Sequence, residues 1–128
     1  MLMTSDWEDA VRRGDAVRVR SLIEGGAAID SKDGHGQTGL MVASARGQTE
    51  VVRVLLEHSA ALDVTAKYNL SALMLAVING RGNIVEMLLR AGADRAIRGR
   101  GAPGFHDMTA LDLAEGAGHT EIAALLHG

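Results

Sequence analysis

The chain has 128 residues, 47% of them apolar, with no cysteine and a formal net charge of −3 from 13 basic and 16 acidic side chains. A length of this order fits one domain that buries roughly two thirds of its unfolded surface. The missing cysteines exclude disulfides and thiolate metal sites, and the acidic balance excludes the basic field that holds nucleic acid non-specifically. Acids interrupt the opening "MLMTSDWEDAVRR" where an export signal needs an apolar run, and no stretch approaches the length of a membrane span. The reading is a soluble, cytoplasmic protein whose partners include neither nucleic acid nor a membrane. Aromatic content is only 2%, one Trp, one Tyr and one Phe, so the core must be built from small aliphatic side chains packed along short, regular interfaces.

Those interfaces repeat. Gly14, Gly47 and Gly80 are 33 residues apart, as are Ala10, Ala43 and Ala76, and Leu22, Leu55 and Leu88. The first unit, about residues 4–32, reads as a short helix ending at Gly14 and a second helix followed by Gly26. In the second unit, 33–65, Thr38 precedes "GLMVASARG" as an N-cap. Val51, Val54 and Leu55 then make a stripe on a longer helix. Ser59 follows that helix at a position that asks for positive φ. The third unit, 66–98, repeats the pattern with Ser71, Gly80, the stripe Ile84, Met87 and Leu88, and Gly92 as a left-handed C-cap. The fourth, 99–128, carries Thr109 and the stripe Ile122, Leu125 and Leu126, but its step from Gly80 to Gly118 is 38, so five extra residues enter between Arg98 and Thr109. No single helix pair can bury its own stripe, and neighbours must stack.

The extra residues contain "GRGAPG", Gly99 to Gly104, which has the G-x-G-x-x-G spacing of a pyrophosphate cradle. That chemistry needs a strand before the motif, a helix starting within it and an acid about 20 residues on. The surrounding sequence reads instead as the end of one unit and a lengthened, mobile turn before the next. A small-ligand or nucleotide site at this turn remains the alternative to the reading below. The histidines, His35, His58, His106, His119 and His127, form no i, i+4 metal pair, and Ser44 and Thr49 lack a base and an orienting group. No catalytic residue, metal ligand or cofactor site is assigned.

The units resemble the ankyrin repeats, whose 33-residue period carries a T-P-L-H-x-A helix start, a G-H turn, a long helix ending in L-L, and G-A-x-x-D before the next turn. The resemblance runs from Ser5 to the C-terminus, with Ser5 in the Thr column and Trp7 in the Leu column of the first unit. "DGHGQTGLMVASARGQTEVVRVLLEHSAALD", "AKYNLSALMLAVINGRGNIVEMLLRAGAD" and "HDMTALDLAEGAGHTEIAALL" carry the other three. The family's Pro is here Gly39, Ala72 and Ala110, and its His is Met41, Met74 and Asp112, so the usual Thr–His hydrogen bond is lost. His119 occupies the G-H turn and is read as structural.

The resemblance implies an all-α solenoid of helix-turn-helix units joined by hairpin or β-turn fingers, without catalytic activity. It implies that another protein is bound through the concave surface made by the fingers and short helices. The positions mapped there are His35, Gln37 and Arg46 in the second unit and Lys67, Tyr68, Leu70, Ile78 and Asn79 in the third. Arg12 and Arg13 extend the row at one end, and Phe105, His106 and Met108 extend it at the other. Charged side chains on both terminal units, Asp6 to Arg20 and Asp112 to Glu121, read as caps and predict a complete, monomeric array.

Overall fold

The computed structural model describes residues 1–128. Its elements are α1 (Ser5–Arg13), α2 (Ala16–Glu24), α3 (Gly39–Arg46), α4 (Thr49–Glu57), α5 (Ala72–Ile78), α6 (Gly82–Ala91), α7 (Ala110–Gly116) and α8 (Thr120–His127), with a 3₁₀ turn over Lys67–Asn69. Each short helix begins where a hydroxyl accepts an otherwise unpaired first-turn N–H. Thr38 receives the N–H of Met41, Ser71 that of Met74 and Thr109 that of Asp112. In the first unit this role falls to Thr4, which accepts from Trp7 N at 3.2 Å, not to Ser5. A column of glycines with φ of 72°, 76°, 70° and 75° at Gly14, Gly47, Gly80 and Gly118 ends the same helices or follows them by a residue or two. The left-handed backbone, which glycine adopts without a Cβ penalty, lets each chain reverse into its partner helix.

The side chain after the turn glycine ties units together. Gln48 donates to the carbonyl of Arg12 and Arg81 to that of Ala45, each reaching across the preceding unit's glycine, where a Cβ would collide with it. The His119 ring lies in the same place over Gly80, which accords with a structural role. The lost Thr–His pairing is replaced locally. Thr109 N–H donates to Asp112 Oδ2 at 3.0 Å, closing a capping box, whereas Met41 offers only its weakly accepting sulfur to Thr38 N–H at 3.5 Å.

Helices α1, α3, α5 and α7 pack in sequence as one layer, and α2, α4, α6 and α8 as the other. Between them runs one continuous core that includes Trp7, Val11, Val19, Leu40, Leu55, Leu73, Ile84, Leu88, Leu113 and Leu126. The small residues Ala10, Ala43, Ala76 and Ala114 are fully buried within it, so the short helices can approach closely. This is the physical counterpart of the low aromatic content. The fold is an all-α helical repeat solenoid.

Candidate functional site

Three fingers project between the helix pairs, and each is held differently. In the second unit Asp33 is the hub: 4% exposed, it accepts the backbone N–H groups of His35 and Gln37 at 2.9 Å. Its carboxylate also faces Arg12 Nη2 at 3.4 Å. A buried carboxylate needs such donors, so Arg12, which pairs with Glu8 as well, braces the finger. Arg13 is exposed and pairs with Asp9 at 2.8 Å. His35 is exposed and Gln37 half-buried, while Arg46 extends into solvent from the end of α3.

The third finger has Ala66 where the second has Asp33, and it folds without that hub. Ala66 N–H donates to Leu70 O, and Leu70 N–H to Lys67 O. The turn places Tyr68 and Asn69 at φ 61° and 59°, a region costly for side chains with a Cβ. Leu70, expected on the contact surface, is 7% exposed. It closes the base of the finger just before the Ser71 cap, and its side chain joins the core.

The fourth finger supplies what the third lacks. Arg100 N–H donates to Tyr68 O at 2.8 Å and Asn69 Nδ2 to Arg98 O at 2.9 Å. The Tyr68 and Phe105 ring centroids stand 5.6 Å apart, tilted by 40°, within the range of favourable aromatic pairs. Lys67 Nζ lies 4.9 Å from the Tyr68 centroid, a cation–π distance. Within the finger, Gly99 N–H donates to Met108 O and Asp107 N–H to Gly99 O. The lengthened turn is therefore tied to its neighbour by hydrogen bonds and a ring contact.

This geometry differs from a pyrophosphate cradle. No strand precedes Gly99, α7 starts at Ala110, outside the motif, and a Cβ at Gly99 would run into the Phe105 carbonyl. The glycines at Gly101 and Gly104, φ 78° and 90°, serve the turn itself. No three His, Asp or Glu side chains converge as a metal site requires.

On the short helices, Ile78 is half-buried and Asn79 exposed at the end of α5, with Met108 half-buried at the root of the fourth finger. Leu75, which sequence reasoning passed over, is also half-buried, one turn before Ile78 on the same face. Its signal was present: it stands in the column of Asp9 and Val42, between the buried positions.

An ankyrin-repeat model, three copies of the repeat, matches residues 8–99. The chain belongs to the ankyrin-repeat family. A search of curated proteins gave no match. Helices α7 and α8 lie beyond the matched residues and continue both layers. Ankyrin repeats generally serve as protein–protein interaction modules and are generally not enzymes. No helix is long and apolar enough to cross a membrane.

Proposed function

We propose that this ankyrin array is a non-catalytic, monomeric recognition module that holds another protein against its fingers and short helices, centred on the third unit. One observation carries the reading. Tyr68 and Phe105 pack on each other at the fingers, and Leu75, Ile78 and Met108 of the short helix and fourth finger are also partly exposed, at positions where solvent alone would favour polar residues. Aromatic and aliphatic anchors of this kind dominate binding energy at interfaces. His35, Arg46, Asn79 and His106, all exposed on the fingers and short-helix ends, are the polar rim of this reading.

The test is capture of a partner from native lysate, identified by mass spectrometry and then titrated against purified variants. Tyr68→Ala and Ile78→Ala are each expected to weaken binding by about 1–3 kcal/mol while retaining a cooperative melt. Reversing Arg53 and Glu86, on the outer helices α4 and α6, is expected to leave binding unchanged. The opposite pattern would remove the concave face from consideration.

A further inference from the structure

We infer that the paired third and fourth fingers select an acidic partner segment, one in which Asp or Glu side chains flank a large apolar residue. This deepens the concave-face reading and rests on it.

The cations of the molecule are unevenly satisfied. On the outer helices, Arg18, Arg20, Arg53 and Arg90 each reach a carboxylate, and at the N-terminal end Arg12 and Arg13 do so too. Arg81 and Arg95 are occupied by the carbonyls of Ala45 and Leu126. Lys32, Arg46, Lys67 and Arg100 have neither an ion pair nor a hydrogen-bond acceptor for the side chain, and all four lie at the fingers or the end of a short helix. The nearby carboxylates are already engaged: Asp33 with its own finger, Asp112 with the α7 cap, Asp107 with Arg98 at 3.8 Å. A chain of net charge −3 thus presents unneutralised positive charge on the fingers, with Lys67 and Arg100 on the two that carry the aromatic pair. Charge complementarity at such a rim favours acidic partners.

The platform is also built in advance. Tyr68, Asn69 and Asp107 all hold left-handed backbone; the bonds from Arg100 to Tyr68 and from Asn69 to Arg98 cross between the two fingers, and Arg98 Nη1 donates to Asp107 O within the fourth. Strained tips held by surrounding contacts are characteristic of binding sites. Beside them a shallow depression is lined by Asn69, Ile97, Arg98, Arg100, His106 and Asp107, wide enough for a carboxylate next to an apolar anchor on Tyr68. Nucleic acid fits less well, because the two rings pack on each other and are not spaced for successive bases.

The experiment is an NMR titration of the isotope-labelled chain with short synthetic peptides in which Leu and Phe alternate with Asp and Glu, with Lys, or with Ser. Oligouridine is a fourth probe. The acidic peptides are expected to shift the amides of Lys67, Tyr68, Arg100 and Phe105. Lys67→Glu with Arg100→Glu should weaken them about tenfold at low salt without altering the melt. Equal binding by the Lys or Ser peptides, tighter binding of oligouridine, or no shift with the acidic set would each overturn the acid preference. Ser peptides that shift Tyr68 and Ile78 equally well would do so while leaving the concave-face reading intact. Acidic peptides that shift α4 and α6 instead would overturn both.

Discussion

Ser59 stands at φ 61° just beyond α4, with a Cβ where the third unit has Gly92 at φ 97°. Replacing it with glycine is expected to stabilise the chain by about 0.5–1 kcal/mol, read from urea melts, because glycine carries no left-handed penalty. An unchanged midpoint would show that the backbone there is already relaxed. This conformation was readable from the repeat columns alone. The first N-cap was not. A 33-residue step aligns Ser5 with Thr38, but Thr4 and Ser5 are adjacent hydroxyls, and which one starts a helix depends on how Trp7 settles into the core. The same holds for Leu70 and Arg12, whose burial and pairing come from contacts that no periodicity encodes.

Asp112 offers a pH handle at the same scale. The Thr109 backbone N–H, helped by the Thr109 side chain and the Arg98 charge and opposed by partial burial, holds its carboxyl below the ordinary aspartate value. Because the folded group titrates below the unfolded one, its contribution is complete above about pH 4, the unfolded value. It falls away as pH drops through the lower, folded value. Asp112→Ala is expected to cost roughly 0.3–1 kcal/mol at neutral pH. Chemical melts repeated in acid should show the gap between variant and parent narrowing; a gap that widens in acid would contradict the capping role.

At the scale of elements, the fingers are held in different ways. The second is self-sufficient through Asp33, and the third depends on the fourth, whose extra residues supply its missing donors. Gly99 is the joint, buried against the Phe105 carbonyl, whereas a Cβ at Gly104 would meet open space. Gly99→Ala is therefore expected to cost about 1–3 kcal/mol and to speed hydrogen exchange at the Arg100 amide, which bonds to Tyr68. Gly104→Ala should cost only about 1 kcal/mol, from its positive φ, with Arg100 still protected. Equal effects at the two glycines would mean that the fingers are not joined in this way. The insertion itself was plain from the shift of step to 38. Its destination was not, because a glycine-rich stretch specifies freedom to turn and carries no record of the surface it turns onto.

Across the whole molecule, two helix layers share one aliphatic core, and surface charge follows the same division. The arginines of α2, α4 and α6 reach carboxylates, whereas Lys32, Arg46, Lys67 and Arg100, at the fingers and a short-helix end, do not. The layering was visible in the sequence because glycine, alanine and leucine columns report stacking directly. The sorting of paired from unpaired charge was not, since it depends on which side chains the curvature brings within reach. The central claim is that partners are held by this inner side, and site-specific photo-crosslinking tests it most directly. A photoreactive side chain placed in turn at Tyr68, Ile78, Arg53 and Glu86 in lysate should give a discrete adduct from the first two positions and none from the last two. Adducts from Arg53 or Glu86 with none from Tyr68 or Ile78 would contradict it.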